Sequence, residues 1–272
     1  DELEFDSIDA IIVSHAHLDH AGSLPVVQRN HPSARVYMTG ATKDLADAML
    51  HNSVNVMKSQ REELGIAEYP LFTHREIDSL RKDWITIDAR RPFPIGRPED
   101  EIVCEFFNAG HILGSIGVLF RFEGHTIFYT GDVHFEDQSL SKRADFPEEP
   151  IDIVIVESTR GAEERHPEYS RAAEVARFGS SIKAALARGG AVLCPVFALG
   201  KTQETLTVLD QLKRIPGTTS VQIFGAKDYA MRIWVRPDRL AQLKLTTGDL
   251  VRAINEQNAQ FAAGKIGQPP AA

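Results

Sequence analysis

Short apolar runs and longer amphipathic stretches alternate along roughly the first two hundred residues of this chain, the pattern of a layered α/β protein. "AIIVS" (10–14) and "ARVYM" (34–38) are rich in β-branched and other apolar residues and predict buried strands. Helical spacing follows in "AGSLPVVQRN" and in the long 41–65 segment, whose Leu45, Met49, Val56 and Met57 fall near one face. A second strand group is predicted at 101–110, 116–122, 125–132 and 151–159. "SRAAEVARFGSSIKAALARGG" (170–190) has a serine cap and a glycine stop, so it predicts a helix leading into a strand at "AVLCPVF". Residues 200–214 are helical again, and no internal repeat is present.

Composition narrows the classes that fit. At 272 residues and 43% hydrophobic content the chain can bury a substantial core. Thirty basic against 38 acidic side chains give a formal charge of -8, which argues against a generally basic nucleic-acid binder and leaves room for a local positive groove. Cys104 and Cys194, the 2 cysteines, each lie in an apolar run and are expected as buried free thiols. There is no apolar run long enough for a membrane span, and the acidic start "DELEFDSIDA" lacks the order of a signal peptide. These features predict a soluble, cytoplasmic chain with no membrane contact over residues 1–214. The chain begins without methionine, one short acidic segment before its first strand, and so reads as a fragment.

The chemistry concentrates after the first strand, in "SHAHLDH" (14–20). Alternate side chains of an extended loop point the same way, so His15, His17 and Asp19 can converge while His20, at a helix start, turns to a neighbouring point. Imidazole and carboxylate together suit zinc, and the cluster has donors for two ions. Two more predicted strand ends carry the same residue types: His111 in the glycine-flanked "NAGHILGS" and Asp132 in "YTGDVHF", where a carboxylate can bridge two metals.

Together, "SHAHLDH", "AGHILGS" and "TGD" resemble the successive metal motifs of the metallo-β-lactamase fold, and "VESTRG" (156–161) and "PVFALGKTQETL" (195–206) resemble its β-CASP branch of nucleic-acid-processing nucleases. The resemblance implies an αββα sandwich with its first strands truncated over residues 1–158, and the start of a β-CASP insertion over 159–214. It implies His15, His17 and His111 on one zinc, Asp19 and His20 on the other, and Asp132 bridging. Glu157 matches an acidic residue that supports a catalytic histidine in the family. The chemistry implied is phosphodiester hydrolysis of RNA, with DNA open as a substrate, by water that two zinc ions activate. Asp19 would serve as ligand or proton acceptor. Gly200 and Lys201, where a strand passes into a helix, could meet a phosphate or could form an ordinary helix start. Arg160 is a phosphate contact or a surface arginine. A small-molecule hydrolase on the same metal fold is the alternative that the β-CASP-like motifs disfavour.

Two features depart from that pattern. The family's late histidines have no counterpart, because all 10 histidines lie at or before His166. His125, His134 and His166 are unassigned, and His134 is the one candidate surrogate. Unpaired sheet edges make self-association an expectation. From Pro216 onward, "YAMRIWVRPDRL" and "INEQNAQFAAGKIG" closely resemble the porter domain of RND multidrug efflux pumps. Residues 216–272 are therefore expected as a short α+β tail, a transporter fragment in a chimera joined near "LKRIPG". Transport by this sliver is not expected.

Overall fold

The computed structural model describes residues 7–96, 101–159, 161–162, 164–189, 192–213 and 246. Arg160 and the porter-like tail, Thr246 apart, fall outside the described residues. All elements below belong to one compact unit, Asp1–Val221.

A three-stranded parallel sheet is formed by β1 (Ala10–Ile12), β2 (Arg35–Met38) and β3 (Trp84–Thr86), in the order β1-β2-β3. A five-stranded sheet has the order β4-β5-β6-β7-β8, from β4 (Phe93–Ile95), β5 (Ile102–Asn108), β6 (Ile116–Phe122), β7 (His125–Tyr129) and β8 (Ile153–Ile155). Its first four strands pair antiparallel, and β8 joins β7 in parallel. Alternation along β5 and β6 explains how the sheets stack. Cys104, Phe106, Ile116 and Val118 face Tyr37 and Phe93 and form the core between the sheets, while Phe107 and Leu119 point to the opposite face with Phe128. Each fully buried Phe, Leu or Ile contributes about 1.5–3 kcal/mol.

Helices α1 (Leu18–Ala21), α2 (Leu24–Asn30), α3 (Gly40–Leu64) and α4 (His74–Leu80) cover the first sheet through Ala21, Leu24, Leu50, Val54 and Ile77, with Phe72 of the loop before α4. Thr39 caps α3 by accepting from Thr42 N at 3.1 Å. The buried stripe of α3 is Thr42, Ala46, Leu50, Val54 and Met57, whereas Val56 is exposed. The expected face was therefore rotated: the true stripe includes small and polar residues that an apolar count passes over. Helices α5 (Arg171–Ala187) and α6 (Lys201–Lys213) follow, and Ser170 caps α5 by accepting from Ala173 N at 3.2 Å.

The strand expected at "AVLCPVF" is not formed over its described residues 192–197. A strand needs a partner for its N–H and C=O groups, and this segment pairs with none of the described strands; Leu193 is 91% and Phe197 78% exposed. Cys194 in that segment is half-buried, contrary to expectation, while Cys104 is fully buried. Four short elements between residues 74 and 95 had no expectation: α4, a 3-10 turn, β3 and β4.

Candidate metal centre

The chain leaving β1 is clamped on both sides. Val13 N donates to Tyr37 O at 3.0 Å, and Ser14 O accepts from Ile116 N at 2.9 Å, which ties the loop to β2 and β6 and buries His15 completely. His17 then begins α1, its carbonyl accepting from His20 N and Ala21 N at 3.0 and 2.8 Å, so His20 turns back toward His15 at 4.1 Å between ring centroids. His111 sits in the turn after β5. Gly110 precedes it at φ +73, and a Cβ there would lie 2.5 Å from His134 O and 2.6 Å from Ala144 N, so only glycine fits. Ser115 Oγ accepts from His111 N and Ile112 N, and the hydroxyls of Thr39 and Thr42 both lie 2.8 Å from Gly114 O, fastening the turn to α3. Asp132 follows β7. Beside it, Glu157 accepts from Val133 N at 3.2 Å and from Thr159 N at 2.9 Å.

The ends of β1, β5 and β7 bring six donor atoms of five residues together. His15 Nε2 and His111 Nε2 each lie 3.1 Å from His17 Nδ1. Asp132 reaches His111 Nε2 at 3.5 Å and His15 Nε2 at 3.8 Å with Oδ2, and His20 Nε2 at 3.4 Å with Oδ1. Two groups result, His15/His17/His111 and His15/His20/Asp132, each with ligand atoms within 4.8 Å of one another. Ligands about 2.1 Å from a tetrahedral zinc stand about 3.4 Å apart, so the spacing fits such an ion. The electrostatics agree. Burial, reinforced by His20, His111 and His17, pushes the His15 pKa down to about 2. Burial also takes His111 down to about 4, with His17 and Lys201 assisting and Asp132 and Glu157 opposing. Both rings are neutral near pH 7 and offer the lone pairs that metal binding needs.

Asp19 stands apart from these groups. Its carboxylate lies 3.6 Å from His20 Nε2, but its side chain is 77% exposed and does not converge with His15 and His17. The short helix turns it outward, where an extended loop would have turned it in. Glu157 has no histidine partner in hydrogen-bond contact among the described residues; its two oxygens accept from backbone N–H groups, and these donors overcome burial to keep its pKa below the usual glutamate value. Gly200 N donates to Gln203 Oε1 at 2.7 Å, and Lys201 Nζ donates to Gln138 Oε1 at 3.1 Å. His134 enters neither group, and burial, followed by nearby Lys201, lowers its pKa.

Contacts with no sequence signal complete the surroundings. Leu199 O accepts from His17 Nε2 at 3.2 Å, and Gln138 Nε2 donates to Gly110 O at 2.7 Å and His111 O at 3.1 Å. Glu204, in the first turn of α6, accepts from Ser139 N and Ser139 Oγ and pairs with Arg171. An apolar cavity of about 240 Å³ opens beside His111, lined by Leu45, Ile112, Leu113, Leu140 and Leu199.

A two-sheet α/β sandwich with a histidine and aspartate cluster at its strand ends defines a class of layered proteins that carry a metal-type donor set at the edge of their sheets. The family model of the beta-lactamase superfamily domain matches residues 1–187, and the chain belongs to that superfamily. It is similar to cleavage and polyadenylation specificity factor subunit 3-I of Arabidopsis thaliana, with 34% identity over 234 residues, 85% of this chain and 32% of the relative. Endoribonuclease YSH1 of Saccharomyces cerevisiae is 34% identical over 78% of this chain and 27% of its own length. Probable RNase MJ4 of Methanocaldococcus jannaschii is 35% identical over 75% of this chain and 45% of its own. The chain thus spans less than half the length of these relatives. A second model, of the AcrB/AcrD/AcrF family, matches residues 199–271. That match begins upstream of the expected join and overlaps the Arabidopsis alignment across α6. No helix among the described residues is long and apolar enough to cross a membrane.

Proposed function

We propose that the chain is a cytoplasmic, zinc-dependent nuclease segment that hydrolyses phosphodiester bonds in RNA. The observation that carries this reading is the convergence of His15, His17 and His111 with Asp132 and His20, in a chain similar to proteins named as an endoribonuclease and a probable RNase. His15, His17 and His111 would hold one zinc and His20 the other, with Asp132 in reach of His15, His111 and His20 and Asp19 on the solvent side. When bound, the metals supply Lewis acidity and a means of activating water. The protein's own part is to keep the His15 and His111 imidazoles neutral, hold Asp132 in reach of both groups, and offer the Lys201 cation as an attractor for phosphate. Glu157 steadies the loop that carries Asp132 through the Val133 amide. Asp19, 3.6 Å from His20 and exposed, would be the proton acceptor on the solvent side.

The test is cleavage of an end-labelled RNA by the zinc-loaded chain, with Asp132→Asn as control and a single-stranded DNA and a thioester as competing substrates. RNA products that Asp132→Asn abolishes support the reading. Thioester hydrolysis without RNA cleavage would move the protein to the small-molecule hydrolases. Residues 216–272 are read as a pump-derived segment with no transport role, supported by the AcrB/AcrD/AcrF match. Single long DNA reads that fail to cross codon 216 would mark the join as an assembly error; reads that cross it make it a gene.

A further inference from the structure

The turn from Phe197 to Gly200 reaches the histidine cluster without contributing a ligand. Leu199 O lies 3.2 Å from His17 Nε2. A carbonyl oxygen can only accept, so a neutral His17 must carry its proton on Nε2, and Nδ1 keeps its lone pair. Nδ1 is the atom that stands 3.1 Å from both His15 Nε2 and His111 Nε2. The carbonyl therefore decides which face of the ring the cluster sees. Metal-binding histidines are oriented by such outer partners, and losing one weakens binding about 10–100-fold.

Something must in turn hold the turn. Gln138 occupies the space between it and the His111 loop. Its Nε2 donates to Gly110 O at 2.7 Å, His111 O at 3.1 Å and Ser141 Oγ at 3.0 Å, while its Oε1 accepts from Lys201 Nζ at 3.1 Å. One side chain thus joins the backbone on either side of a metal-type histidine to the first residue of α6. The adjoining Ser139 reinforces the link by donating its amide and hydroxyl to Glu204.

We infer that the Leu199 carbonyl is the outer partner that fixes the His17 ring with Nδ1 toward the cluster, and that Gln138 is the positioning residue that holds the turn presenting it. The residues after the superfamily match, which ends at 187, thereby tune metal affinity without touching the metal. The inference rests on the metal-binding reading of the site.

Two measurements on the full chain test it. In metal-free, 15N-histidine-labelled protein, long-range proton–nitrogen correlation spectra should show His17 as the single Nε2–H tautomer; an Nδ1–H tautomer overturns the inference. Gln138→Met keeps the length and removes only the polar atoms. It should populate both His17 tautomers and weaken zinc binding at least tenfold in competition with a chromophoric chelator. Unchanged tautomer and affinity in that variant would refute the role of Gln138, and should the variant not fold, the wild-type tautomer still decides. A wild-type chain that bound no zinc would sink the metal reading instead, leaving the tautomer result to stand by itself.

Discussion

Replacing Gly110 by alanine probes the turn that delivers His111, and a second glycine supplies the control. Gly110 has φ +73 and Gly124, in the β6–β7 hairpin, has φ +81, so alanine at either position is forced into left-handed backbone. That conformation costs about 1–2 kcal/mol. At Gly124 nothing lies within 4 Å of an added Cβ, and the conformational cost stands alone. At Gly110 the Cβ would meet His134 O at 2.5 Å, Ala144 N at 2.6 Å and Arg143 C at 2.8 Å. These are backbone atoms that cannot swing aside, and overpacking of this kind adds about 1–3 kcal/mol. Gly110→Ala should therefore lose about 2–5 kcal/mol against about 1–2 for Gly124→Ala. In thermal melts of the metal-free chain each kcal/mol is worth about 2–4 °C at this size, so the two midpoints should separate clearly. Zinc affinity should fall only in Gly110→Ala, because Gly110 O and His111 O share the Gln138 amide. Equal losses of stability in the two variants, or equal losses of zinc affinity, would refute the reasoning.

Three further outcomes follow from other parts of the molecule. Burial opposes ionisation of Glu204, but the Ser139 donors and Arg171 outweigh it and hold the pKa below the usual glutamate value. Its contribution is therefore present above the unfolded-state pKa and lost as pH falls through the folded one, so Glu204→Gln should cost about 1–3 kcal/mol at pH 7 and progressively less in acid, by urea titration at each pH. Burial pushes the Cys104 thiol up to about 12, so an aromatic disulfide reagent should label Cys194 alone in the native chain and both cysteines after unfolding. Strand β8 ends its sheet among the described strands with Ile153, Val154 and Ile155 each more than half exposed, and Val154→Lys should reduce self-association in sedimentation velocity.

The sequence carried the parts of the fold that local chemistry determines. Helix α5 was readable because its serine cap is local, as Ser170 confirms, and α3 and α6 because helical spacing is local, although the buried stripe of α3 is rotated from the expected face. Strands β5 and β6 were readable because each is a seven-residue, mostly apolar run, with residues buried on both faces of the sheet. The three-residue strands β3 and β4 are too short to display such a run, and "AVLCPVF" shows the converse: an apolar run does not become a strand unless a neighbour offers its hydrogen bonds. In the candidate site, His15, His17, His20, His111 and Asp132 were legible because imidazoles and a carboxylate at strand ends are rare outside metal centres. Asp19 shares their motif, yet a four-residue helix turned it to solvent. Leu199 and Gln138 were illegible for different reasons. A backbone carbonyl acts whatever its side chain, and Gln138 matters only through partners that the fold brings from Gly110, His111 and Lys201.

The account stands most directly on what surrounds bound zinc. X-ray absorption at the zinc edge of the zinc-loaded chain should show a shell of nitrogen and oxygen alone, with the outer scattering of several imidazole rings. Sulfur in that shell, which would draw Cys104 or Cys194 into the site, or zinc that washes away before it can be measured, would contradict the histidine and aspartate centre on which the proposed activity depends.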